Sequence, residues 1–66
     1  MDYKLNVEFI KLKMLQNGYS ITKLAKISNT AKSTLSRIIN AQGNHRPETI
    51  YKLAKALDID ITDLLL

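Results

Sequence analysis

The chain has 66 residues, 45% of them hydrophobic and 24% charged, a globular balance rather than that of a disordered segment. A chain this short buries only about 60% of its unfolded surface, so the core is thin and a deep substrate pocket or small-molecule ligand is not expected. Cysteine is absent and His45 is the single histidine, which excludes disulfides and leaves no ligand set for structural zinc; no cofactor is expected.

No apolar run approaches the roughly 18 residues of a membrane span. The N-terminal residues, with Asp2 and Glu8 among them, lack the charged-then-apolar order of a signal peptide. A cytoplasmic location without a membrane partner is therefore expected. Charge is unevenly placed: residues 1–46 hold eight lysines and arginines against Asp2 and Glu8, a net +6, while residues 47–66 hold Lys52 and Lys55 against Glu48, Asp58, Asp60 and Asp63, a net −2. That polarity favours a polyanionic partner for the first two thirds, the plainer alternative being a lysine-rich solvated face.

Period-two alternation is absent, so helices are predicted throughout. The first runs from Asn6 to about Gln16 and stops at Asn17-Gly18, where glycine takes a left-handed conformation without steric cost. Ser20 caps a second helix, Ile21 to about Ser28, and Asn29-Thr30 makes a tight turn. A third helix extends from about Lys32 to Asn40, with Leu35, Ile38 and Ile39 on its apolar side and Lys32, Ser33, Ser36, Arg37 and Asn40 on the other. The polar stretch Ala41-Gln42-Gly43-Asn44-His45-Arg46 reads as a loop. Pro47 suits the first turn of a fourth helix, in which Ile50, Leu53, Ala54 and Leu57 recur at i, i+3, i+4 and i+7. Asp60 and Asp63 resemble a capping box that opens a short fifth helix through Leu64 or Leu65. The expected fold class is all-α, a compact bundle of five short helices forming a single domain over residues 1–66.

Two short helices joined by a tight turn within residues 20–41 form a helix-turn-helix pattern. The first helix must pack across the second and leave its outer face free for the major groove. Ala25 permits close approach, Leu24 and Ile38 supply buried contacts, and Asn29 tolerates the turn.

The runs Tyr19-Ser20-Ile21-Thr22-Lys23-Leu24-Ala25-Lys26, Ser33-Thr34-Leu35-Ser36-Arg37-Ile38 and Arg46-Pro47-Glu48-Thr49-Ile50-Tyr51-Lys52-Leu53-Ala54-Lys55-Ala56-Leu57 resemble the Cro and phage-repressor helix-turn-helix family, the xenobiotic-response-element type. The likeness extends from the first helix to Leu65 and fixes polar positions that helical periodicity alone leaves open. It implies a lambda-repressor-like domain acting as a sequence-specific transcriptional regulator, bacterial or phage-encoded, commonly a repressor. It also implies a homodimer on a near-palindromic operator in double-stranded DNA, with recognition helices one DNA turn, roughly 34 Å, apart.

Base-reading positions of the family fall on Lys32, Ser33, Ser36 and Arg37, with Ala31 at the edge of that set; Lys and Arg donate to guanine O6 and N7. Phosphate contacts fall on Ser20 and the amides at the start of the second helix, on Asn40, Asn44, His45 and Arg46, and on Lys23, with Lys26 adding attraction. Departures carry their own expectations. Ile21 replaces a frequent glutamine and removes a side-chain hydrogen bond. Ala31 replaces the usual Ser or Thr cap, leaving either Thr30 to cap or the helix start to fray. Met14 and Ile39 stand where many members join the first and third helices by a buried Arg-Glu pair, and are predicted to pack together. The first helix is apolar on two sides, which points to Phe9, Leu12 or the terminal Leu64, Leu65 and Leu66 as members of a dimer seam. Tyr19 is expected to fill an apolar position with its ring.

Paired catalytic carboxylates, a nucleophile with base and acid partners, and a phosphate-cradling glycine loop are missing, so no enzyme activity is expected. Two alternatives to an operator-binding regulator stand beside it: an antitoxin-type regulator with a protein partner, and a protein-interaction module of the same fold that does not bind DNA.

Overall fold

Five helices form along residues 3–42 and 45–66, the parts of the chain that this computed structural model describes: α1 (Val7–Asn17), α2 (Ile21–Ser28), α3 (Lys32–Ile39), α4 (Pro47–Leu57) and α5 (Ile61–Leu64). Side-chain caps set three of the starts. Asn6 Oδ1 accepts from the Phe9 amide at 3.2 Å and Ser20 Oγ from the Lys23 amide at 3.1 Å. Asp60 Oδ1 accepts from the Thr62 amide at 3.3 Å, one residue short of the box expected with Asp63. The side chain of Asp63 is one methylene shorter than the usual glutamate, and no hydrogen bond returns from it to the cap among the described residues.

The other two starts have no side-chain cap. Ala31 precedes α3 with only its backbone, and Thr30 does not take over: its hydroxyl donates to the Ser28 carbonyl at 3.1 Å and accepts from no α3 amide among the described residues. Arg46 precedes α4, where Pro47 supplies a preset φ and no amide to satisfy.

Four helices end by one device. A residue in the left-handed region (Gly18, Asn29, Ala41, Asp58) reverses the chain, and the next amide closes back on a carbonyl of the last turn. These bonds are Tyr19 to Met14 at 2.8 Å, Thr30 to Ala25 at 3.0 Å, Gln42 to Arg37 at 2.8 Å and Ile59 to Ala54 at 3.0 Å. Asn40 is thus the residue that closes α3 rather than its last helical one. Alanine at φ 56° is the strained member of the set. A left-handed backbone costs an L-residue roughly 1 to 2 kcal/mol, more than the extra unfolded-state entropy that glycine brings, about 0.4 to 1 kcal/mol. Ala41→Gly is expected to stabilise the protein by up to about 1 kcal/mol, read as a rise of several degrees in the thermal midpoint. An unchanged or lowered midpoint would contradict the strain.

The core is Leu5, Ile10, Leu24, Leu35, Ile38, Ile50, Leu53, Ala54, Leu57 and Leu64. Around it α2 packs on α3 and α4, α4 on α5, and α1 on α3 and α5. The buried hydroxyl of Ser28 donates to the Leu24 carbonyl at 2.6 Å, and among the described residues no buried side-chain polar atom lacks a partner. Met14 and Ile39 are both half-buried and packed against this core, as are Tyr19 and Ile21.

Only Ile10 of α1 is fully buried, whereas Leu12 and Leu15 are 48% and 79% exposed. The terminal leucines do not act together. Leu64 is 0% exposed inside its own core, so it is unavailable to a dimer seam, while Leu66 lies in the open. Leu5 and Leu65 pair as an isolated antiparallel bridge, through Asn6 N–H to Leu64 O at 2.7 Å and Leu66 N–H to Lys4 O at 3.0 Å. No strand forms among the described residues, and no helix there is long and apolar enough to cross a membrane.

Candidate nucleic-acid interface

The helix pair α2 and α3 presents α3 outward. Leu35 and Ile38, 1% and 0% exposed, hold its back against the core, and every residue of the opposite stripe, Lys32, Ser33, Ser36, Arg37 and Asn40, is exposed. Their spacing of one, four, five and eight residues from Lys32 places them on one helical face. Ala31, at the helix start, is exposed as well.

The described residues contain two ion pairs, Lys11 with Glu8 at 3.9 Å and Lys52 with Glu48 at 3.3 Å. Neither involves a cation of α2 or α3, so the positive charge of Lys23, Lys26, Lys32 and Arg37 is not neutralised by an acidic partner within that set. Such unpaired cations on a protruding helix suit a polyanion.

Ser20 is exposed at the start of α2. Its oxygen accepts the Lys23 amide, which leaves the hydroxyl proton free to donate to a phosphate. Lys23 and Lys26 are exposed on the same helix. Ile21 turns its side chain to the core, so the position has an apolar packing role in place of a polar contact. Asn44 lies outside the described residues.

Beyond α3 the chain folds back to form a polar cleft of about 300 Å³, lined by Thr34, Arg37, His45, Arg46 and Thr49. Arg46 is exposed and His45 half-buried. Burial, and then the nearby Arg37 guanidinium, hold the His45 pKa below its ordinary value, because both disfavour a second positive charge. The cleft unites Arg37, expected on the base-reading face, with His45 and Arg46, expected at the backbone. It also brings in Thr34 and Thr49, which the sequence reading did not single out. Each lies three residues from an arginine, Thr34 from Arg37 within α3 and Thr49 from Arg46 at the cap of α4, and that spacing was the available signal. A second hollow, apolar and about 140 Å³, lies between Tyr3, Pro47, Ile50, Ile61 and Leu65.

The chain is similar to solved structures of one regulator. Over 85% of this chain and 83% of the other, it is 33% identical to the N-terminal DNA-binding domain of SinR from Bacillus subtilis, with a TM-score of 0.77. SinR described as the master regulator for biofilm formation, in complex with DNA, matches at 33% identity over 85% and 90% of the two chains, also with a TM-score of 0.77. A SinR–SinI protein complex matches at 34% identity and a TM-score of 0.75, over 83% of this chain and 54% of that one. No curated protein sequence gives a significant match. A family model described as helix-turn-helix covers residues 10–64, the whole span from the buried turn of α1 to the end of α5. On that match, this chain belongs to the helix-turn-helix family.

Proposed function

We propose that this protein is a transcriptional regulator that binds duplex DNA with residues 1–66 as one domain, α3 lying in the major groove. Lys32, Ser33, Ser36 and Arg37 read base edges. Ser20, Lys23, Asn40, His45 and Arg46, with Asn44 from the same connection, hold the backbone on either side. The observation that carries this reading is the exposed polar stripe of α3, backed by Leu35 and Ile38 and free of internal ion pairs among the described residues. Likeness to a SinR structure in complex with DNA supports it.

A homodimer on a near-palindromic site is the arrangement that the family resemblance implies, and the size of the molecule is compatible with it. The molecule is 31 Å along its longest axis and presents one recognition helix among the described residues, so on an operator with two half-sites one DNA turn, about 34 Å, apart the second helix would come from another copy. Occlusion of a promoter would then make it a repressor.

Salt titration and selection on random duplex DNA test this together. A dimer making about 6 to 10 phosphate contacts should lose roughly 10³- to 10⁵-fold in affinity between about 50 and 200 mM salt. Sequencing the selected duplexes should recover two inverted half-sites. Salt-insensitive association, or an unenriched pool, would instead favour a protein-interaction module. SinR also forms a complex with SinI, and for this chain a protein partner has the support of that likeness alone.

A further inference from the structure

The cleft beside α3 shares Arg37 with the exposed stripe and adds groups that the stripe lacks. Its walls carry two guanidinium groups, an imidazole and two hydroxyls, from Thr34, Arg37, His45, Arg46 and Thr49, and among the described residues no carboxylate lines it. Glu48, next to Thr49 in sequence, is held by Lys52 at 3.3 Å. The volume, about 300 Å³, is ample for a phosphate group with its ordered water. We propose that this cleft seats one phosphodiester of the DNA backbone, with Thr34 and Thr49 donating their hydroxyl protons to it, and that His45 takes up one proton from solvent as the phosphate enters. This rests on the DNA-binding reading and adds to it a specific seat and a proton balance; no covalent bond forms.

The reasoning is electrostatic. In the free protein the described groups that line the cleft with His45 are Arg37 from α3 and Arg46 beside it, with the uncharged Thr34 and Thr49. Loss of solvent and then the repulsion of Arg37 lower the pKa of the ring and so favour its neutral form. A phosphodiester is negative across the working pH range and cancels that repulsion, favouring the imidazolium and its second N–H donor. The protein therefore binds DNA more tightly as pH falls through the window between the free and the bound pKa of His45, and pH independence returns above and below it. Each unit by which DNA raises that pKa corresponds to as much as a tenfold gain in affinity across the window.

His45 is the only histidine, so its ring signals can be followed by NMR in the unmodified protein. Titration is made with no addition, with a mixed-sequence duplex of about two turns in low salt, and with inorganic phosphate at matched ionic strength. The duplex should raise the His45 pKa by a unit or more, inorganic phosphate by far less, and His45→Gln should flatten the pH dependence of DNA affinity. An equal rise with inorganic phosphate would make this a free-anion site and overturn the assignment to DNA. A duplex that perturbs the α3 amides but leaves His45 unmoved would overturn the seat alone, and one that perturbs neither would overturn the seat and the DNA-binding reading together.

Discussion

Ile38→Ala is expected to lower the thermal midpoint by roughly 10 °C or more and to abolish DNA binding near physiological temperature. Ile38 is 0% exposed and sits on the back of α3, in the cluster with Leu24, Leu35 and Leu53. Truncating such a side chain costs about 2 to 5 kcal/mol, the transfer loss plus the cavity left behind. A 66-residue chain holds only about 3 to 10 kcal/mol in total, so the variant retains little. In a domain this small each kcal/mol moves the midpoint by roughly 4 to 8 °C. Ser36→Ala, an exposed change on the same helix, is the control and should stay within about 0.5 kcal/mol of the parent. Equal melting of the two variants would mean that α3 is not anchored through Ile38.

The second large effect falls on binding and leaves folding intact. Arg37→Ala should weaken binding to the selected duplex by about 1 to 3 kcal/mol, roughly tenfold to more than a hundredfold, and relax preference at one base pair. Arg37 is exposed and its side chain packs no core, so the melting curve should be little changed. Arg46→Ala, by contrast, should weaken all duplexes alike and lower the salt slope by about one contact per protomer. Comparing selections for the two variants separates base reading from backbone holding. Indistinguishable base preferences for Arg37→Ala and the parent would move the reading function off that residue.

How much of this was legible in the sequence depends on the range of each interaction. The starts of α2 and α5 were legible, because Ser20 and Asp60 act on amides two or three residues ahead, whereas Asn6, read as the first helical residue, is instead the cap of α1. Ends at Gly18 and Asn29 were readable because those residue types suit a left-handed backbone; Asp58 is also of a suitable type though it was not singled out, whereas Ala41 adopts it without such a signature. The outward stripe of α3 followed from helical period alone. The cleft did not, since it depends on how the connection after α3 returns Arg46 and Thr49 opposite Thr34 and Arg37. Nor did the difference between Leu64 and Leu66, adjacent in a run of identical residues yet buried in one case and open in the other. Local periodicity says which face is apolar but not what arrives to cover it.

The bridge between Leu5 and Leu65 joins the two extremes of the described chain, and it bears on the order of assembly. Among the described residues the other backbone bonds span only a handful of positions, whereas the two bonds of this bridge close a loop from Leu5 to Leu65 and must offset the entropy of that closure. The bridge needs α1 and α5 docked against each other, so exchange of the Asn6 amide with solvent is expected to report on the joining of the two ends of the chain as well as on α1 itself.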